Sequence, residues 1–185
     1  MISRKMFTGL IAVLMIFLAG AAWASDIALT SIGQSPDSMM VKVVLKKLDV
    51  NPDTDNLLRA EGLEGKKILI AVVGGSSKGL GAAGIDKEQE KQRATELLQA
   101  ARDKGIRVLI MHVGGEGRRG KLSDEFITTA VPFADELILV EGANEDGLFH
   151  SLLEGKNITI RTVENVRSTS EPLKEVLSGW GVPVS

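Results

Sequence analysis

Three glycine-rich stretches carry most of the groups able to hold a ligand. The first, Thr30-Ser31-Ile32-Gly33-Gln34-Ser35-Pro36-Asp37, joins three hydroxyls and an amide to a helix start, where free N–H groups and the helix dipole favour an anion. Helix capping alone accounts for Ser35, but it does not call for Ser31 or Gln34. The second runs from Val73 to Asp86 and holds five glycines and two serines. Glycines let backbone N–H groups form anion-binding concavities, so Gly74, Gly75, Ser76 and Ser77 are candidate ligands, with Lys78 adding charge. The third, His112 to Asp124, presents Arg118 and Arg119 between glycines. Their planar forks suit a carboxylate or phosphate. The alternative is that both are ordinary solvated charges, one of them paired with Glu116.

Sharper chemistry fails its context in each case. Gly74 to Gly81 looks like the cofactor loop of short-chain dehydrogenases, yet those enzymes pair a Tyr with a Lys and this chain has no Tyr. Gly75-Ser76-Ser77-Lys78-Gly79 matches the nucleophile pattern G-x-S-x-G. That pattern needs a tight strand-to-helix turn, whereas more glycines follow and the next helix is expected only from Asp86. His150, the other partner such a serine would need, falls inside a predicted helix. No Gly-Lys-Ser or Gly-Lys-Thr ends the loop, so a P-loop is excluded. His112 closes an apolar strand, the place of a hydrogen-bonded, half-buried imidazole rather than a catalyst. His112, Glu116 and Asp124 make the one sensible metal cluster, without an i,i+4 His pair. No metal site and no cofactor are expected.

The elements that must position these loops are short apolar strands alternating with amphipathic helices, the pattern of a parallel sheet covered on both faces. The strands are Ile27 to Ile32, Ile68 to Val73, Val108 to Val113, Leu137 to Val140 and Ile158 to Val163. A very short edge strand near Val50 would make six, before a brief helix from Asp55 to Glu61. Ser35-Pro36 opens a helix expected to turn Met39, Met40, Val43, Val44 and Leu48 inward as core or pocket lining. A helix from Asp86 carries Ala94, Leu97, Leu98 and Ala101 and stops at Gly105. Ser123 caps a helix with Phe126, Ile127 and Ala130 inward. Asn144 caps another with Leu148, Phe149, Leu152 and Leu153 inward, and Ser170 and Pro172 open the last, which ends near Gly179. The fold class is α/β: a single three-layer, doubly wound domain with a mostly parallel sheet of five or six strands. The flavodoxin-like order puts the Ile27 and Ile68 strands together at the centre. Ligands in such sheets bind beyond the carboxyl ends of the strands where the order reverses, which selects the three loops above.

The chain begins Met1-Ile2-Ser3-Arg4-Lys5, runs apolar from Met6 to Ala22 and closes with Ala22-Trp23-Ala24. That is the plan of a cleaved export signal, with Ser25 opening the mature chain. Residues 1–24 are thus the expected signal peptide and residues 25–185 one α/β domain. An uncleaved anchor is the alternative, since the run is at the short end of what spans a bilayer. The absence of Cys excludes a lipoprotein anchor, disulfides and a thiol nucleophile. The 185 residues carry 22 Lys and Arg against 24 Asp and Glu, and losing Arg4 and Lys5 makes the mature domain more acidic still. Such a domain is a poor non-specific partner for nucleic acid or anionic lipid.

The segments Leu29–Ser35, Met39–Lys42, Val72–Asp86 and Met111–Gly120 together resemble a family of uncharacterised exported bacterial proteins classed as a domain of unknown function. The Gly-rich loop is the most specific part of the likeness, which spans nearly all of the mature chain. It implies an exported single α/β domain and carries no activity or catalytic residue. The sequence therefore favours binding over catalysis. The expected ligand is a small anionic metabolite held by Ser31, Gln34, Ser35, Gly74, Gly75, Ser76, Ser77, Lys78, His112, Arg118 and Arg119. The alternatives are a hydrolase or transferase using Ser77 or His112, and an accessory protein of a membrane transporter. Nucleic acid and stable membrane insertion after cleavage are not expected.

Overall fold

In the computed structural model the described residues are 25–184. Residues 1–24, expected from the sequence to be an export signal, lie outside them. Six strands form one parallel sheet in the order β2-β1-β3-β4-β5-β6. They are β1 (Ile27–Ile32), β2 (Asp53–Thr54), β3 (Ile68–Val73), β4 (Arg107–His112), β5 (Glu136–Val140) and β6 (Thr159–Val163). The fold is thus α/β and doubly wound, with helices on both faces. Strands β1 and β3 are buried along their whole length, as runs of Ile, Leu, Val and Ala between two helical layers must be.

The helices are α1 (Asp37–Lys47), α2 (Ser77–Ala83), α3 (Lys87–Asp103), α4 (Lys121–Ala130), α5 (Leu148–Leu152) and α6 (Ser170–Gly179). One apolar layer joins Leu80, Ala94, Leu97, Phe126, Ile127 and Phe149 from α2 to α5 onto the sheet. The other joins Val41, Val44 and Leu45 of α1 and Leu173, Val176 and Leu177 of α6. Asp86 and Gln89 form a complete capping box at the start of α3.

Five details depart from the sequence-based expectation. The edge strand is Asp53–Thr54 rather than a segment at Val50, because two residues carry no periodicity to read. The helical turn after it is a 3-10 turn at Ala60–Leu63, not a helix over Asp55 to Glu61. The loop expected up to Asp86 is a helix from Ser77, with the Ser76 hydroxyl accepting the Gly79 N–H at 3.0 Å. Met40 and Val43 are exposed and Met39, also exposed, lines a cleft rather than the core, since the phase of α1 turns Val41, Val44, Leu45 and Leu48 toward the sheet. Ser123 lies inside the first turn of α4 rather than capping it, because the helix begins at Lys121.

Candidate functional site

Ile32 and Val73 are register partners, so the loops after β1 and β3 leave the sheet side by side where the strand order reverses. Gln34 and Gly75 pair in an antiparallel bridge, the Gly74 N–H reaches the Ile32 carbonyl at 2.9 Å, and the Ser76 N–H reaches that of Gly33 at 2.9 Å. The two loops are therefore one stitched unit.

That unit is anchored from below by a buried ion pair. The Arg93 guanidinium donates to both Glu90 oxygens at 2.7 and 2.8 Å, to the Leu58 carbonyl at 2.7 Å and to the Ser31 carbonyl at 2.7 Å. Glu90 Oε1 also accepts the Gly33 N–H at 2.8 Å and the Gln34 side-chain amide at 3.0 Å. Gln34 adopts a left-handed φ of 58°, costly for a residue with a Cβ, and its second bond, to the Asn56 carbonyl at 2.8 Å, helps to fix it. A Cβ on Gly79 would stand 2.0 Å from the Gln34 carbonyl oxygen, so α2 reaches the loop only with glycine there.

Most of the predicted ligands are held inside this scaffold. The Ser31 hydroxyl donates to the Ser35 carbonyl at 3.1 Å, Ser35 Oγ accepts the Asp37 N–H at 3.2 Å, and the Gly75 N–H goes to Ser123 Oγ at 2.9 Å. Arg119 is engaged by Asp124 and Asp146 at 2.7 Å each and by the Ala143 carbonyl. Its guanidinium pKa is raised, and the Asp146 carboxyl is held down at about 2, chiefly by the hydrogen bond between them. Neither arginine pairs with Glu116. His112 is buried, with Nδ1 2.9 Å from the Val73 carbonyl and Nε2 3.2 Å from that of Gly115. Burial pushes its pKa below the usual histidine value, against the pull of those two carbonyls and of Asp37.

What stays open is a cleft of about 690 Å³ between the start of α1, the segment Asp55–Leu57 and α2. Pro36, Met39, Leu57, Ala82 and Ala83 give it an apolar wall. Ser35, Asn56, Asp55 and Lys78 give it polar ones. Ser77 and Lys78 are exposed on the first turn of α2. Ser77 makes no hydrogen bond to either histidine.

Sequence reasoning did not select Asp37. Its carboxylate is buried at 1 % exposure, and neither oxygen has a hydrogen-bond partner among the described residues. Arg118 Nε lies 3.5 Å from Oδ1, and the Arg118 stem covers Gly114, whose Cβ would stand 1.9 Å from Arg118 Cγ. The signal available was an acid directly after Ser35-Pro36, which reads as an ordinary first-turn acid favouring the helix dipole. Glu90 and Arg93 were also missed, although both fall in line with the apolar stripe Ala94, Leu97, Leu98 and Ala101.

Among the described residues no group of three His, Asp or Glu side chains gathers as a metal site, and no helix is long and apolar enough to cross a membrane. No curated protein and no solved structure matches the chain. A family model does, over residues 24–177, and on that match the chain belongs to the family described as domain of unknown function DUF6305.

Proposed function

We propose that this chain is a small-molecule-binding domain that acts after export and holds an anionic metabolite at the carboxyl edge of its sheet. The observation that carries the reading is the 690 Å³ cleft at the reversal of strand order. Its volume falls in the range of roughly 300–1,000 Å³ usual for ligand sites, and its position is where doubly wound sheets bind ligands. Lys78 supplies a cation on the cleft wall, while Met39, Leu57 and the two alanines take an apolar body. The rigid stitching of the loops by Glu90 and Arg93 is what a preformed site requires. Binding is favoured over hydrolysis or group transfer because Ser77 lacks a base in contact and both His112 nitrogens face backbone carbonyls.

The test is a thermal-shift screen of the purified protein against organic acids, phosphates, nucleotides and sugars. A ligand that binds only the folded state raises Tm by mass action. Ala83→Trp, which fills the cleft, should abolish the shift, and Lys78→Ala should weaken it, while Ser77→Ala leaves it intact. If no compound shifts the protein, or if Ala83→Trp does not matter, the reading is wrong. Export is checked separately by sequencing the N-terminus of the secreted or periplasmic product, where Ser25 is expected first.

A protein partner such as a transporter is the second reading. The outer face of α1 favours it, with Met40 and Val43 exposed beside Lys42, Lys46 and Lys47.

A further inference from the structure

We propose that Asp37 and Arg118 form the head-group site for a zwitterion, Asp37 receiving an ammonium and Arg118 a carboxylate, so that the ligand is an α-amino acid with its side chain in the neighbouring cleft. This rests on the cleft reading above and specifies what its anionic group is attached to.

The starting point is the unsatisfied carboxylate. A buried carboxylate with no donor is costly, and such groups in a native fold call for a specific explanation. The protein has donors nearby but has committed them elsewhere. The Asp37 N–H is given to Ser35 Oγ, the Gly74 N–H to Ile32, and both His112 nitrogens face carbonyl oxygens. Oδ2 is directed at two glycines, 3.6 Å from where a Gly74 Cβ would stand and 3.2 Å from where a Gly114 Cβ would stand. Arg118 is the one cation paired with it among the described residues, in a geometry that makes no hydrogen bond, and the Arg118 side chain is itself 40 % exposed. It has no other partner among the described residues.

Arg118 is thus a half-exposed cover over a buried, unsatisfied acceptor. A simple anion reaching Arg118 would meet the repulsion of Asp37 behind it. A simple cation reaching Asp37 would have to displace Arg118 and leave it unpaired. A molecule bearing both charged groups on one carbon resolves both problems. Its ammonium has three N–H donors for the Asp37 oxygens, and its carboxylate accepts the outward-facing nitrogens of the Arg118 fork in a paired arrangement. One loose ion pair is exchanged for two hydrogen-bonded ones. Asp37 and Arg118 do not line the cleft themselves, but Ser35 borders both places: it lines the cleft, and its side chain meets the same point beside Gly74 as Asp37 Oδ2, so an amino acid seated by its head group has its side chain run past Ser35 toward Met39, Leu57 and Ala83.

The experiment is titration calorimetry of the purified protein with the common L-amino acids, those with apolar side chains first. The best binder is then compared with the carboxylic acid lacking its amino group and the amine lacking its carboxylate. The expected result is that the amino acid binds and that each truncated analogue binds about tenfold or more weakly. Asp37→Asn and Arg118→Gln should each lose a similar factor, with Tm unchanged or raised in Asp37→Asn as evidence that it is folded. Ala83→Trp should abolish binding. The proposal is overturned if no amino acid binds, if the deaminated acid binds as well as the amino acid, or if Asp37→Asn keeps the affinity. If the deaminated acid binds equally, indifferent to Asp37→Asn but blocked by Ala83→Trp, the cleft reading stands and the head-group assignment falls.

Discussion

Two buried carboxylates serve the same pair of loops and are treated in opposite ways. Glu90 sits under the β1 loop with Arg93 in a two-pronged pair, and a backbone amide and the Gln34 side chain complete its shell. Asp37 sits at the other side of that loop with an arginine 3.5 Å away and, among the described residues, no hydrogen bond to its carboxylate. Both charges are removed from water, which is expensive unless the remaining valences are met. The first cluster meets them and holds the loop in one conformation. The second leaves them open at the edge where ligands bind. The difference separates a group that builds the site from one placed to be used by it.

The largest expected effect breaks the first member of the comparison. Arg93→Ala removes the partner of a buried glutamate and four donated hydrogen bonds, so unfolding in urea should show a loss of about 3–5 kcal/mol. A loss under about 1 kcal/mol would mean that Glu90 is not a structural anchor. Because the Gln34 conformation depends on Glu90, the same substitution should open the loop to amide hydrogen exchange at Gly33.

His112, whose charge couples to Asp37, sharpens the comparison through pH. Burial lowers its folded pKa below 6.5, while Asp37 opposes and Arg119 reinforces that shift. The folded state therefore binds fewer protons than the unfolded one below pH 6.5. Stability is complete above about 6.5 and falls as pH drops toward the folded pKa, with a slope of at most about 1.4 kcal/mol per pH unit. Subtracting the His112→Gln stability curve from the wild-type curve isolates that slope. Equal curves for the two proteins would mean that the ring is not held away from solvent.

The frame of the molecule was legible in the sequence because strands buried on both faces are continuous apolar runs, and these placed β1, β3, β4, β5 and β6 to within a residue or so. The alternation with helices gave a doubly wound sheet, and the flavodoxin-like order expected for it has β2 and β1 on one side of β3, as found. Helix α2 was not legible, since Gly79 and Gly81 are each about 1 kcal/mol poorer than alanine in a helix. Packing decides there: Gly79 is what lets the helix touch Gln34. The site was legible as a place and misread as a set of donors. Ser31, Ser35, Ser76 and Arg119 look free in a sequence, but their side chains are engaged by partners 2 to 27 positions away, and the Gly75 N–H by Ser123 at 48. Arg118 and Arg119, adjacent and chemically equal on paper, part company because Asp124 and Asp146 reach only the second.

A smaller effect of opposite sign is expected at Asp37. Asp37→Asn removes a buried carboxylate that no hydrogen bond compensates, so the unliganded protein should gain up to about 1 kcal/mol in urea unfolding, the trade of stability for function seen where a group is kept for binding. A loss as large as that of Arg93→Ala would place Asp37 with Glu90, as a builder of the fold, and would end the contrast between them.

The smallest effect concerns Arg119, whose partners Asp124 and Asp146 are tied to it at the surface. Asp146 is solvent-exposed, so its pair with Arg119 is screened and adds little to stability. The hydrogen bond from Arg119 nevertheless depresses its folded pKa to about 2 from an ordinary 3.8. The sign follows: whatever the pair contributes is present above about pH 4 and is lost as pH falls through 2. Carbon-detected NMR titration of the Asp146 carboxyl should give a midpoint near 2, moving back toward 3.8 in Arg119→Ala. A normal midpoint in the wild type would mean that Arg119 is as free as Arg118, and two open arginines would restore the anion-binding fork that the sequence suggested.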